Sequence, residues 1–120
     1  MIKKKDKIYV AGHNGLVGSS IIRELKKQGY KNIIYRSRNQ LNLINQNRVY
    51  NFLKKERPKF VFIAAAKVGG ILTNNSLRGQ FIFENLAIQN NLIDGSFQSG
   101  IKDLIFLGSN CVYPKNCPQP

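Results

Sequence analysis

Three glycines near the beginning of the chain form its most informative chemical pattern. Gly12, Gly15 and Gly18 follow a short apolar run and precede an amphipathic segment. A strand that enters a helix through such a loop presents backbone N–H groups, which bind dinucleotide phosphates at the helix N-terminus. One glycine permits the sharp turn, one lets the backbone approach the pyrophosphate, and one lets the helix pack on the strand. The spacing predicts a dinucleotide site, and the alternative is a glycine-rich turn without a ligand.

Two arginines follow the second apolar run of the chain. NAD sites usually carry an Asp or Glu about twenty residues beyond the glycine loop, where it accepts hydrogen bonds from the ribose hydroxyls. Here that stretch contains Arg36 and Arg38 and no acidic residue. Guanidinium groups form charge-assisted, bidentate hydrogen bonds with phosphates. The pair favours NADP(H) over NAD(H), and the alternative is two more exposed arginines in a basic protein.

Ser109 and Cys111 follow the last apolar run. A serine at the carboxyl end of a strand can donate a hydrogen bond to a substrate carbonyl, which stabilises the charge that develops during hydride transfer. Cys111 could act in proton transfer on the same face. The alternatives are a turn cap for Ser109 and a small buried apolar role for Cys111. We expect no metal site, because His13 is the only histidine and acidic residues are few.

The apolar pattern predicts the order βαβαβαβ. The predicted strands cover residues 7–11, 32–35, 60–65 and 104–107, and the predicted helices cover residues 16–28, 46–56 and 80–98, with a long loop at 69–75. This alternation predicts an α/β fold, a Rossmann-like, doubly wound parallel sheet with right-handed crossovers. We expect strand order 3-2-1-4, with the ligand crevice between the first and fourth strands.

Each predicted helix carries apolar residues at helical spacing, which identifies the face expected to cover the sheet. These residues are Val17, Ile21 and Leu25 in the first helix, Val49, Phe52 and Leu53 in the second, and Ile82, Leu86, Ile93 and Phe97 in the third.

Composition predicts a single domain over residues 1–120, because 42% of the chain is hydrophobic and no linker interrupts it. No apolar run has the length of a membrane span. The glycine loop interrupts the first apolar run too early for a signal peptide, and two cysteines fit a reducing compartment, so we expect a cytoplasmic protein without membrane partners. The net charge of +13 attracts polyanions. No nucleic-acid module signature accompanies it, so we expect no specific nucleic-acid binding.

Several longer segments carry a more specific likeness. They are residues 11–13, 36–43, 64–71, 74–75 and 108–115, among which the lysine-valine-glycine-glycine loop and the serine-x-cysteine spacing are the most specific. Together they resemble the GDP-L-fucose synthase family of extended short-chain dehydrogenases/reductases. That family epimerises GDP-4-keto-6-deoxy-D-mannose at C3 and C5 and then reduces C4 with NADPH. The resemblance implies NADP as cofactor and a GDP-sugar as substrate.

The resemblance also implies roles for individual residues. It assigns the hydrogen bond to the C4 ketone to Ser109 and acid/base work in epimerisation to Cys111. The residues expected to bind the cofactor are Gly12, His13, Asn14, Gly15, Leu16, Val17, Gly18, Arg36, Arg38, Asn39, Gln40, Leu41, Ala65, Ala66, Leu107 and Gly108. The residues expected on the substrate side are Lys67, Val68, Gly69 and Gly70.

The chain also departs from the family pattern. Asn14 stands where many members carry a basic residue, and residues 77–79 differ from the usual tyrosine-proline turn. The family's catalytic tyrosine-x-x-x-lysine pair and partner histidine would lie beyond residue 120. We therefore expect the N-terminal NADP-binding part of the enzyme, from a truncated or split gene, with no turnover by itself. A family-like homodimer is expected only for a full-length chain.

Three other functions stay open from the sequence. The chain could be a non-catalytic nucleotide-binding module, which predicts saturable NADP affinity without turnover. It could instead belong to another NAD(P)-dependent sugar-nucleotide epimerase or dehydratase, although the arginines and the Lys67 loop favour the first assignment. A basic nucleic-acid-binding protein would show affinity that falls steeply with salt and is independent of Arg36 and Arg38.

Overall fold

The computed structural model describes residues 2–109, 114 and 116–118, apart from the side chains of residues 71 and 74. Within these residues the elements are β1 (Ile8–Ala11), α1 (Leu16–Lys27), β2 (Ile33–Ile34), α2 (Gln46–Glu56), β3 (Phe60–Ile63), α3 (Ile71–Ser76), α4 (Arg78–Gln98) and β4 (Asp103–Phe106). None of the helices in the described part of the chain is long and apolar enough to cross a membrane.

The strands form one parallel sheet in the order β2-β1-β3-β4. The doubly wound parallel class is confirmed, but the expected order 3-2-1-4 needs correction, because β3 lies between β1 and β4. Strand length and burial explain the difference. β1 and β3 are four-residue apolar strands that pair along their whole length, whereas β2 contributes two half-buried isoleucines and stays at the edge. The switch point of the sheet therefore lies between β1 and β3.

The crossover directions explain which helices share a face. The chain crosses from β1 to β2 in one direction and then twice in the other, so right-handed crossovers separate the first helix from the later ones. α1 accordingly packs on Ile8 and Val10, whereas α2 and α4 pack together on the face formed by Tyr9 and Ala11. All four side chains of β1 are fully buried, as expected for a central parallel strand.

The first two helices follow the sequence prediction closely. α1 ends before Gly29, whose φ of +84° suits glycine. Its buried residues are Gly18, Ile22 and Leu25, so Leu25 is confirmed, whereas Val17 is half-exposed. Ile21 is half-buried and packs against the cluster that contains Ile22 and Leu25, so the predicted face is partly confirmed. α2 has the predicted bounds, with Val49 and Leu53 buried.

α4 is turned by comparison with its predicted orientation. The four residues expected to face the sheet, Ile82, Leu86, Ile93 and Phe97, are all exposed. The buried positions are instead Glu84, Asn91, Leu92, Gly95 and Ser96. Apolar residues occur on both sides of this helix, so their spacing alone does not select a face. Gly95 decides the packing here, because a Cβ atom on it would lie 3.0 Å from the side chains of Tyr50 and Leu53 in α2.

The segment predicted as a long loop at 69–75 contains the short helix α3. Its glycines and asparagines are common in loops, but Gly70 serves as the N-cap of α3, with a φ of −68° and a ψ of 170°. Of the predicted loop only Gly69 and Gly70 stay irregular, and they continue an irregular segment that begins at residue 64, where the strand was expected to extend to residue 65.

Candidate functional site

The glycine loop lies tightly against the end of β3. Gly12 has a φ of +86°, and a Cβ atom on it would lie 2.5 Å from the carbonyl oxygen of Ala64. The N–H of Gly15 donates a hydrogen bond to the Gly12 carbonyl at 3.0 Å, which closes the turn. Gly18 packs on the same carbonyl, since its Cβ would lie 2.1 Å away. Gly12 and Gly18 therefore fix the backbone of the loop, and Gly15 lies on its open side.

The N-terminus of α1 is open toward an anion. Gly15 is the N-cap and offers no side-chain acceptor, and the first turn contains no acidic residue. The first N–H groups of a helix lack intrahelical partners and carry partial positive charge. Leu16, at the first helical position, is 85% exposed. The end of the helix therefore presents free backbone donors to solvent beside the glycine loop.

A cavity of about 240 Å³ adjoins the glycine loop. It is lined by Gly12, His13, Asn14, Gly15, Arg36, Ser37, Arg38, Leu41, Asn42, Leu43, Ile44, Ala64, Ala65, Ala66, Lys67, Glu84 and Ile88. Three loops at the carboxyl ends of β1, β2 and β3 thus meet at one site. This volume is a little below the range of about 300–1,000 Å³ that is usual for ligand pockets.

His13 connects the glycine loop to the end of β2. Its ring stacks on Tyr35, with centroids 4.6 Å apart and an interplanar angle of 27°. This contact holds the tip of the glycine loop beside the segment that carries the two arginines. His13 therefore supports the shape of the cavity that it lines.

The two arginines differ in how firmly they are held. Arg36 donates to the Tyr35 carbonyl at 2.8 Å and to Glu56 at 3.3 Å, and its guanidinium lies 5.3 Å from the centre of the Phe52 ring. Arg38 is 72% exposed at its side chain, and its Nη2 lies 3.6 Å from Glu84 Oε2. Arg38 therefore has more capacity left for a ligand anion than Arg36.

Lys67 is fixed at the edge of the cavity by two neighbouring residues of α4. Asn85 accepts from the Lys67 backbone N–H at 2.7 Å and donates to its carbonyl at 3.0 Å. Lys67 Nζ donates to Glu84 Oε1 at 2.6 Å. This hydrogen bond is the main reason why the pKa of Glu84 lies below its ordinary value of 4.5, although desolvation opposes the shift. The site thus contains a close ammonium–carboxylate pair.

The loop between β2 and α2 is held by one of its own side chains and by one from α4. Gln40 Oε1 accepts from the backbone N–H and the hydroxyl of Ser37, at 2.9 and 3.1 Å. Asn91 in α4 donates to the carbonyls of Leu43 and Ile44, at 2.9 and 3.0 Å. These contacts set the position of the cavity wall.

The structure brings ten of the predicted cofactor and substrate residues to the cavity. They are Gly12, His13, Asn14, Gly15, Arg36, Arg38, Leu41, Ala65, Ala66 and Lys67. Leu16, Val17, Gly18, Asn39, Gln40, Val68, Gly69, Gly70, Leu107 and Gly108 lie outside its lining. Among these, Gly18 and Gln40 shape the loops that form the cavity.

Ser109 is exposed and follows β4 at the same edge of the sheet as the glycine loop. Since β3 lies between β1 and β4, the strand spacing separates β1 from β4 by roughly 10 Å. The sequence prediction placed these two strands side by side, so the distance is a consequence of the corrected strand order. Cys111 lies outside the described residues.

Sequence reasoning missed several cavity residues, and Glu84 and Ile88 are the most distant of them in the chain. The available signal was the recurrence of Glu84, Ile88, Asn91 and Gly95 at helical spacing. A tyrosine-x-x-x-lysine spacing also occurs in α2, at Tyr50 and Lys54. Tyr50 donates a hydrogen bond to Asp94, which joins α2 to α4, and neither Tyr50 nor Lys54 lines the cavity.

The chain is similar to several known proteins. The sequence pattern of the NAD dependent epimerase/dehydratase family matches residues 8–120. The chain is 50% identical over 120 residues to a putative GDP-L-fucose synthase 2 of Arabidopsis thaliana, covering 100% of this chain and 37% of the relative. It is 50% identical over 114 residues to a GDP-L-fucose synthase of Sinorhizobium fredii, covering 95% of this chain and 36% of the relative.

A solved structure gives the same result for the fold. The GDP-mannoheptose C4 reductase of Campylobacter jejuni, with NADP bound, superposes with a TM-score of 0.94 at 41% identity. The superposition covers 100% of this chain and 38% of that chain. The chain therefore spans little more than a third of the length of the relatives that it matches.

Proposed function

The chain belongs to the NAD dependent epimerase/dehydratase family, and on that premise we propose that it forms the NADP-binding part of an enzyme similar to GDP-L-fucose synthase. One observation carries the proposal: a single cavity joins the glycine loop to Arg36 and Arg38. The segment between β2 and α2 contains no Asp or Glu that could accept ribose hydroxyls in the manner of an NAD site.

The residues present fit a phosphorylated dinucleotide. The uncapped N-terminus of α1 and the open side of Gly15 supply backbone donors for a pyrophosphate. Arg38 supplies a guanidinium for a 2′-phosphate, and Arg36 stands beside it with two of its donors already engaged. The buried Leu41 provides an apolar wall for the adenine. NADPH, when bound, supplies the hydride for reduction of a ketone.

The proposed substrate is a GDP-linked 4-keto sugar. Ser109 would donate a hydrogen bond to the C4 ketone, and Cys111 would act as acid or base in epimerisation at C3 and C5. Lys67 and residues 68–70 would lie on the substrate side. The relatives named as GDP-L-fucose synthases support this choice. The likeness to a GDP-mannoheptose C4 reductase supports a second candidate, C4 reduction of a GDP-linked heptose.

We further infer a cytoplasmic protein that acts on a GDP-sugar and has neither a membrane nor a specific nucleic acid as partner. A homodimer similar to that of the family is proposed for a full-length chain. For the 120-residue chain we expect cofactor binding without turnover. Consumption of NADPH by this chain in the presence of GDP-4-keto-6-deoxy-D-mannose would contradict that expectation.

Fluorescence titration with NADPH and NADH, at two salt concentrations, tests the proposed function. We expect saturable binding that prefers NADPH, and Arg38→Ala should weaken NADPH binding about tenfold, because hydrogen bonds to charged groups contribute about 1.5–3 kcal/mol. Arg36→Ala should weaken it less, since Glu56 and Tyr35 already engage that side chain. Arg23→Ala, on the exposed surface of α1, removes the same charge outside the cavity and serves as the control.

Two results would contradict the proposed function. One is the absence of saturable binding in the unmodified chain. The other is equal, salt-sensitive affinity for NADPH, NADH and an unrelated polyanion, because purely electrostatic binding falls steeply with salt and ignores ligand chemistry.

A further inference from the structure

Glu84 is a buried carboxylate that lines the cavity proposed for NADP, where phosphate groups would repel it. Glu84 as a whole residue is 7% exposed. Oε1 accepts hydrogen bonds from Lys67 Nζ at 2.6 Å and from Gln80 Nε2 at 2.8 Å. Oε2 faces Arg38 at 3.6 Å. A negative charge at this position requires an explanation other than ligand contact.

Lys67 compensates the charge of Glu84. The ammonium and the carboxylate form the closest ion pair among the described residues, so together they contribute little net charge to the cavity. Because Lys67 already neutralises the carboxylate, the contact between Arg38 and Oε2 leaves the positive charge of Arg38 available to a ligand anion. In the described part of the chain, Glu84 is the carboxylate that lies within 4.0 Å of Arg38.

The contact has a physical consequence for Arg38. An exposed arginine side chain samples many rotamers, and a ligand that binds it must restrict them. Glu84 is held in place by Lys67 and Gln80, so it offers Arg38 a fixed partner at the cavity wall. Arg38 is then partly ordered before a ligand binds.

We propose that Glu84 is a positioning residue for Arg38 that raises the preference of the site for a 2′-phosphorylated dinucleotide over its unphosphorylated counterpart. The inference rests on the proposed function, because it assumes that Arg38 contacts the 2′-phosphate. It goes beyond that function by assigning cofactor selectivity to a residue of α4 that acts through another side chain.

Glu84→Gln tests the proposal in the 120-residue chain. Glutamine has nearly the same shape and still accepts from Lys67, but it has no charge to hold Arg38. The ratio of NADPH affinity to NADH affinity should fall about two- to fivefold, which is the range for one exposed ion pair. Glu24→Gln is the matched control, because it removes a carboxylate from the exposed surface of α1, outside the cavity lining and away from both arginines. It should leave the ratio unchanged.

The direction of the change separates positioning from simple electrostatics. Loss of a negative charge makes the cavity more positive, which by itself would raise the preference for the more highly charged NADPH. A rise in the ratio on Glu84→Gln would therefore show that Glu84 competes with the phosphate for Arg38 and would overturn the proposal. An unchanged ratio would also overturn it. A melting temperature close to that of the unmodified chain shows that the variant is folded.

The double variant distinguishes failure of the inference from failure of the proposed function. In an Arg38→Ala background, Glu84→Gln should change the affinity ratio no further. A further fall of similar size would show that Glu84 acts independently of Arg38 and would overturn the inference alone. If the single variant Arg38→Ala abolishes the preference for NADPH and the single variant Glu84→Gln leaves that preference unchanged, the proposed function stands and the inference fails. No saturable binding in the unmodified chain refutes both.

Discussion

Replacing Gly18 by alanine should destabilise the chain strongly, because α1 packs on the glycine loop at this position. The added Cβ would lie 2.1 Å from the carbonyl oxygen of Gly12, 2.7 Å from its carbonyl carbon and 3.1 Å from the Cα of His13. Ordinary contact begins at 3.4 Å, so the helix or the loop must move by more than an ångström. Every atom in the way is backbone, and no side chain can rotate to make room.

The expected cost lies at the upper end of the range for overpacked cores, about 3 kcal/mol. In a domain of this size, that corresponds to a fall in melting temperature of roughly 10 °C. Urea and thermal unfolding, followed by circular dichroism, measure both quantities. Gly18 packs on Gly12, which lines the cavity, so the displaced loop should also weaken NADPH binding by the folded variant.

Gly15→Ala is the matched control. Its Cβ would lie 3.4 Å from the Gly12 carbonyl, and its φ of −77° suits any residue. The free energy of unfolding should change by less than about 0.5 kcal/mol. NADPH binding should weaken, because the methyl group stands on the side of the loop proposed for the pyrophosphate. An unchanged unfolding midpoint for Gly18→Ala, or an equal loss of stability for both variants, would refute this account of the loop.

Further predictions concern α4. Leu92→Ala should lower the free energy of unfolding by about 2–5 kcal/mol, as other core truncations do. Phe97→Ala should change it by less than about 0.5 kcal/mol, since Phe97 is 77% exposed. A larger loss for Phe97→Ala than for Leu92→Ala would support the helix face predicted from sequence instead. Asn91→Ala should cost about 1–3 kcal/mol in urea unfolding, because two carbonyls lose their donor. The lowered pKa of Glu84 adds stability above pH 4.5 that is lost as pH falls through that lowered value. Glu84→Gln should therefore flatten the acid decline of the unfolding free energy; an unchanged slope would contradict this.

The sequence predicted the elements better than their arrangement. α2 has its predicted bounds because Asn45 caps its first turn and Pro58 follows its end. The position of β3 in the sheet could not be predicted from local signals of this kind. The expected order 3-2-1-4 and the observed order 2-1-3-4 both place apolar parallel strands beside one another. The order depends on how well whole strands pair. The brevity of β2 becomes clear only when its partner is known.

The candidate site also contains residues that the sequence predicts and residues that it does not. The glycine loop and the arginines could be predicted because their spacing is local and has a specific chemical purpose. Glu84 and Asn91 could not, because each acts on a segment far away in the chain, on Lys67 and on the Leu43 carbonyl respectively. Helical spacing marks such residues only when the buried face is known. The apolar residues of α4 indicated the wrong face.

The central position of β1 has a consequence for the time course of folding. Ile8 pairs with Ile33 and Phe60, and Phe60 pairs in turn with Asp103, so every strand contact joins distant parts of the chain. Loop closure must precede each of these pairings, and its entropy cost slows folding relative to proteins whose contacts are mostly local. During synthesis, β1 stays without its main partner until β3 has been made. The glycine loop, whose Gly12 rests on Ala64, therefore reaches its final shape late.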